Sequence, residues 1–161
     1  MTLRRLLGGL AGLLAVASLS ACTPVSDGVV GLQREQDGSL SVVVRMCQGS
    51  VNRVHLRDFD SDAYTTWTFD DEVGPTGTFP LDDGFSSRLH EGHTYDIGVS
   101  TFHGASADGP SMTPESVAAL TPGQILLDPF VADHDATDPP LALVVTSDDF
   151  SEDADRYCDT L

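Results

Sequence analysis

The sequence predicts an all-β domain, and three observations carry the prediction. Short runs rich in Val, Thr and aromatic residues alternate in polarity residue by residue, as strands with one face in a core do. Gly, Asp, Asn and Pro break these runs at short intervals. The tracts Leu40 to Met46, Val51 to Leu56 and Leu141 to Val145 are apolar enough to bury, which argues against the disorder that so acidic a composition would otherwise suggest. No internal repeat is visible.

Val29 to Arg34 and Ser39 to Met46 flank Gln36-Asp37-Gly38, and Asp-Gly between two such runs is a hairpin signal. In the second run Leu40, Val42, Val44 and Met46 share one face, while Val43, Arg45 and Cys47 share the other. Cys47 is thereby expected off the core side. Val51 to Asp58 turns Val54 and Leu56 one way and Arg53, His55 and Arg57 the other. Tyr64 to Asp70 groups Trp67 with Phe69, and Tyr64 with Thr66 and Thr68. Gly77 to Leu81 and Phe85 to Leu89 are weaker strands. Thr94 to Phe102 aligns Tyr95, Ile97 and Val99 inward. Thr113-Pro114-Glu115 predicts a helix, with Thr113 as its N-cap and Pro114 at the first helical position, ending near Leu120 before Pro122-Gly123. Ile125 to Leu127 adds a strand, and Leu141, Leu143 and Val145 line the last one. The acidic tail from Asp148 to Asp155 is expected to be irregular up to Cys158.

The stretch Leu89-His90-Glu91-Gly92-His93-Thr94-Tyr95-Asp96-Ile97-Gly98-Val99 resembles the E–F corner of fibronectin type III and related immunoglobulin-like domains. The resemblance covers 11 residues and speaks to the fold, not to any function. It implies a β-sandwich in which Tyr95 buries its ring and hydrogen-bonds its hydroxyl to backbone across the turn. The chain departs from that pattern after Phe102. Some 40 residues intervene before the Leu141–Val145 run, so a long insertion with one short helix is expected before the last strand.

The N-terminus carries an address. Arg4 and Arg5 precede the apolar run Leu6 to Ala17, about the length of a signal-peptide h-region. From Leu6 to Ala21 the segment is shorter than the roughly 20 apolar residues of a membrane span. Leu19-Ser20-Ala21-Cys22 closes it and resembles the bacterial lipoprotein signal, or lipobox. That resemblance implies cleavage before Cys22 and acylation of Cys22, and two or three acyl chains make a stable anchor where one is marginal. The expected organisation is a signal peptide over 1–21, the lipidated Cys with a short tether over 22–28, and a β-sandwich with an acidic tail over 29–161. Thr23 to Asp27 spans about 15–18 Å at most, which keeps the domain near the membrane.

The chain has 25 acids against 8 basic residues, a net charge of −17. All eight are Arg, and loss of Arg4 and Arg5 with the signal leaves a mature chain at −19. Such a chain is no nucleic-acid binder, because phosphate contact needs clustered basic residues. A polybasic attachment to anionic lipid is excluded likewise, leaving the acyl chains as the only link to the membrane. With Cys22 assigned to lipid by the resemblance, Cys47 and Cys158 form an even pair in an oxidising compartment, where disulfides persist. Their bridge closes a loop of about 110 residues, worth at most ~4–5 kcal/mol in the chain-entropy model.

Chemical motifs fail one after another. Asp58-Phe59-Asp60-Ser61-Asp62 starts like a calcium loop, but an EF-hand needs Gly and Glu where this chain has Ala63 and Phe69. Asp58, Asp60 and Asp62 remain weak candidates for a looser metal site, and an ion-free acidic loop is the expected reading. His90-Glu91-Gly92-His93 misses the zinc-protease spacing, since Thr94 stands where the second His belongs. Asp133-His134-Asp135 lies in a Pro/Asp-rich loop and offers a weak divalent site at best. Gly98-Val99-Ser100-Thr101-Phe102 lacks the second Gly of a nucleophile elbow. No phosphate-cradling Gly loop appears, and no cofactor is expected.

These observations lead to a non-enzymatic, lipid-anchored binding or envelope-interaction module at the bacterial cell membrane, facing outside the cytoplasm. The alternatives are an extracytoplasmic hydrolase or its accessory subunit, and a small-ligand or metal-binding lipoprotein. Arg53, His55 and Arg57 share one strand face, with Tyr64 as a neighbour. Two accounts of that stripe stand side by side. Cross-strand acids neutralise it, or it receives an envelope protein or an anionic envelope polymer, for whose carboxylates or phosphates the planar Arg fork is suited.

Overall fold

The computed structural model describes residues 26–101, 104–132 and 141–161. The expected signal segment, Cys22, Phe102 and Asp133-His134-Asp135 lie outside them. The elements in chain order are β1 (Gly28–Arg34), β2 (Leu40–Met46), β3 (Val51–Asp58), β4 (Tyr64–Val73), β5 (Thr76–Pro80), β6 (Tyr95–Ser100), β7 (Ser106–Met112), α1 (Pro114–Ala119), β8 (Gln124–Leu127), α2 (Pro129–Ala132), β9 (Leu143–Thr146) and α3 (Ser147–Cys158). The strands form two antiparallel sheets, five-stranded in the order β5-β2-β1-β8-β9 and four-stranded in the order β4-β3-β6-β7. No helix among the described residues is long and apolar enough to cross a membrane.

Alternation along each strand builds the shared core. Val30, Leu32, Val42 and Val44 from the larger sheet meet Val54, Leu56, Ile97 and Val99 from the smaller one, all of them buried. Tyr95 joins this core with its ring 1% exposed. Its hydroxyl accepts the His90 amide at 2.7 Å and donates to the Arg88 carbonyl at 3.4 Å, so the polar tip of a buried ring is satisfied by the turn it closes. Thr113 caps α1 as its residue type requires, accepting the Ser116 amide at 3.3 Å.

Four sequence expectations are corrected. Phe85 to Leu89 is not a strand but a single 3-10 turn at Ser86–Arg88, where Ser87 Oγ donates to the Gly84 carbonyl at 2.7 Å. Serine hydroxyls compete for backbone in this way and favour turns over ladders. Leu141 does not line the last strand; it precedes β9 and is 56% exposed. The stretch after Phe102 is not an insertion before the sheet closes. β7 closes the smaller sheet at once, and α1, β8, α2, β9 and α3 extend the larger sheet. The sequence hides β7 because Gly109-Pro110 interrupts its pattern. They lie at an irregularity in the β6–β7 register on an edge strand, where Pro is tolerated.

The acidic tail is the fourth correction, since it is helical from Ser147 to Cys158. Phe150, Ala154 and Tyr157 recur at one helical face and pack on Val29, Val43, Ile125 and Leu127, the outward residues of the larger sheet. Thr146 caps this helix by accepting the Asp149 amide at 3.2 Å, and the early acids suit the positive helix start. Its last residue carries the expected Cys47–Cys158 disulfide, a link across 111 positions that staples α3 to the end of β2.

Candidate binding face

Alternation in β3 brings the predicted stripe together. With Val54 and Leu56 inward, Arg53, His55 and Arg57 stand on the outer face of the smaller sheet. The register places Thr66 and Gly98 on either side of His55, and Tyr64 and Asp96 on either side of Arg57. His55 stacks on Tyr64 with ring centroids 5.3 Å apart and planes 30° from parallel. Its Nδ1 lies 3.2 Å from Thr66 Oγ1, and its Nε2 is hydrogen-bonded to Ser100 Oγ. Burial, and then the charge of Arg53, push the imidazole below its ordinary value. Arg57 is held at its own end of the sheet, with Nη2 3.1 Å from Asp62 Oδ1 and the guanidinium 5.0 Å from the Phe59 ring centre.

Beside the stripe runs an open groove of about 460 Å³. Its floor is Gly98, whose missing side chain leaves a gap between the His55–Tyr64 stack and β7. A Cβ there would lie 3.2 Å from the Ala107 carbonyl and 3.8 Å from Asp108 Oδ1, so the Asp108 carboxylate overhangs the gap. Asp96 closes one end, half-buried and accepting the Ser111 hydroxyl. Burial first, and then the charge of Asp108, raise its carboxyl above the usual range, against the pull of Ser111 and Arg57. Sequence reading missed Asp96, Ser100 and Asp108 as members of this face. The first two were accessible as the outward complement of Tyr95, Ile97 and Val99, while Asp108 was hidden with β7.

His55 and Ser100 make a histidine–serine pair, but a hydroxyl, Thr66, stands at the second ring nitrogen where a triad has a carboxylate. Orientation of the ring is all that Thr66 can supply.

At the far end of β3, Asp58 and Asp60 meet His93, with one ligand-type atom of each within 4.8 Å of the others. Asp62 is not in this group; it turns to Arg57. Asp58 is buried, and both its oxygens are occupied. Oδ1 accepts the amides of Asp60 at 2.9 Å and Ser61 at 3.3 Å, and Oδ2 accepts Ser61 Oγ at 2.6 Å and His93 Nδ1 at 2.8 Å. Burial alone would raise its carboxyl, but Ser61, His93 and the two amides hold it well below the usual range. About four acceptor sites are all a carboxylate has, and four protein donors use them. The cluster fixes the loop after β3 onto the start of β6, where Asp60 Oδ2 accepts the Thr94 amide at 2.8 Å and Phe59 donates to the Thr94 carbonyl at 3.0 Å.

Comparison of the chain with protein-family models, with curated proteins and with solved structures finds no significant match.

Proposed function

We propose that this chain is a lipid-anchored binding module outside the bacterial cytoplasm, acylated on Cys22 and engaging its partner through the outer face of the β4-β3-β6-β7 sheet, without catalysis. One observation carries the reading. The outer face of the larger sheet is sealed by α3, whereas the smaller sheet keeps a grooved face of half-buried polar groups that serve no core. The strand orders support an immunoglobulin-like or fibronectin-III-like sandwich. β5, β2 and β1 correspond to strands E, B and A, and β4, β3, β6 and β7 to C′, C, F and G, with Tyr95 opening strand F. Ser26, four positions after Cys22, is bound at the start of β1, its carbonyl accepting the Tyr157 hydroxyl at 3.2 Å. A tether of that length holds the β1 start near the bilayer and leaves the flank of the sheet accessible.

The test has two arms on cells making the full chain. Cys22→Ser is expected to move the protein from the membrane fraction to the soluble one, and retention at wild-type level would refute the anchor. A photo-crosslinker in place of Tyr64 is expected to give a discrete adduct at the cell surface, while one in place of Glu152 on α3 gives none. Equal labelling from both positions would remove the smaller sheet as the binding face. A hydrolase remains the second reading because His55 and Ser100 are in contact. Labelling of Ser100 by an organophosphate would favour it.

A further inference from the structure

We propose that the Gly98 groove seats a basic side chain, arginine or lysine, of a protein partner, with the cation between Asp96 and Asp108 and the aliphatic stem along Tyr64. The proposal rests on the reading of this sheet face as a binding face and specifies what it binds.

Charge inside the groove points that way. Of the basic groups that line it, Arg57 is occupied by Asp62 and Phe59, and both nitrogens of His55 are engaged by hydroxyls. The carboxylates are less well provided for. Asp96 accepts the Ser111 hydroxyl and has the charge of Arg57 across the strand pair, while the Asp108 side chain accepts no hydrogen bond among the described residues. Burial, and then the charge of Asp108 on the neighbouring strand, make the half-buried Asp96 costly to ionise. The field of the two acids reaches further: burial first, and then Asp96 and Asp108, also raise the carboxyl of Asp128 just beyond β8. A cation bound between Asp96 and Asp108 offsets that repulsion at Asp96.

Shape agrees with charge. Gly98 leaves the gap in the sheet surface, and Asp108 overhangs it. Tyr64 is 61% exposed yet held flat by stacking on His55, so it offers a fixed aromatic surface next to the acids. An aromatic face beside carboxylates suits a cation on an alkyl stem, through cation–π attraction and charge-assisted hydrogen bonds. An anionic polymer would meet Asp96 and Asp108 first. At long range the net charge of −17 steers basic partners inward.

The experiment uses the full chain in detergent micelles and follows the amide resonances of Gly98, Ser100 and Asp108. The probes are acetyl-Gly-Arg-Gly-amide, the same peptide with neutral citrulline, polyglutamate and a neutral oligosaccharide. The arginine peptide is expected to shift these amides, more weakly as salt rises, and the citrulline peptide to bind about tenfold or more weaker. Asp96→Asn with Asp108→Asn is expected to abolish the preference in a folded protein whose melting temperature is no lower than that of wild type. Should the double variant unfold, Asp108→Asn alone serves, since that side chain is exposed. Equal binding of the arginine and citrulline peptides, or full affinity in a folded variant, overturns the proposal. Shifts with polyglutamate or the oligosaccharide but not with arginine overturn it too, while leaving the binding face intact. Silence of these amides toward every probe defeats both readings.

Discussion

The two sheets of this protein treat their outer faces in opposite ways. On the larger sheet Val29, Val43, Ile125 and Leu127 point outward and lie under Phe150 and Ala154 of α3, so its central strands are buried on both sides. On the smaller sheet the outward positions carry Arg53, His55, Arg57, Asp96 and Ser100, and Gly98 leaves a gap among them. Apolar area removed from water stabilises by about 25 cal/mol per Å², and the first face is organised by that term. The second face holds polar groups at partial burial, where each needs a partner merely to offset lost solvation. Residues that do not stabilise a fold and still share one surface are best understood through what that surface meets.

The largest effect should come from uncovering the sealed face. Phe150→Ala removes the ring that α3 sets into the larger sheet and should cost about 3–5 kcal/mol in urea denaturation. Tyr64→Ala, a truncation of comparable size on the open face, should stay within about 0.5 kcal/mol. Similar losses at both positions would erase the distinction between the faces. Next comes the staple: Cys47→Ser with Cys158→Ser should cost about 2–4 kcal/mol. Amide exchange should accelerate in α3 and β9 and stay unchanged in β3 and β6. Uniform acceleration would mean that the bridge secures the whole domain rather than the cover.

What the sequence revealed follows the same division. β1 to β4, β6 and the α1 cap were legible because alternation and capping are local signals. The disulfide was legible by counting cysteines once Cys22 was set aside. α3 was not, because five acids between Asp148 and Asp155 masked the spacing of Phe150, Ala154 and Tyr157, although that spacing marks a helix face. A burial that depends on a distant sheet gives composition no chance to register it. The stripe of Arg53, His55 and Arg57 was readable from parity alone. The groove beside it was not, since it needs β7, and the Gly109-Pro110 irregularity conceals that strand.

A smaller effect tests the corner between the faces. Tyr95→Phe keeps the buried ring and loses the hydroxyl that accepts the His90 amide, which should cost about 1 kcal/mol. Tyr95→Ala should cost about 3–5 kcal/mol instead. If the phenylalanine variant were as stable as wild type, the hydroxyl would contribute nothing to closing the turn.

The smallest effect is the most discriminating, because its sign is reversed. Asp96 has its carboxyl raised by burial and by Asp108, so ionising it disfavours the folded state. That penalty is absent below the ordinary Asp value of about 3.9 and fully present once pH exceeds the raised folded value. Asp96→Asn keeps an acceptor for Ser111 and removes the charge. It should therefore leave stability unchanged at pH 3 and increase it by a few tenths of a kcal/mol at pH 7, a modest figure because half of the group is still solvated. Asp58 must behave oppositely. Its carboxyl is depressed by Ser61, His93 and two amides against the effect of burial, so its contribution is present above the ordinary Asp value and lost as pH falls toward the folded one. Asp58→Asn should accordingly destabilise at pH 7 and converge on wild type in acid. Melting temperatures of the two variants across pH 3 to 7 would show the curves diverging in opposite directions. An Asp96→Asn variant that lost stability at neutral pH would make Asp96 a structural acid like Asp58. In that case the groove would need no ligand to account for its charge.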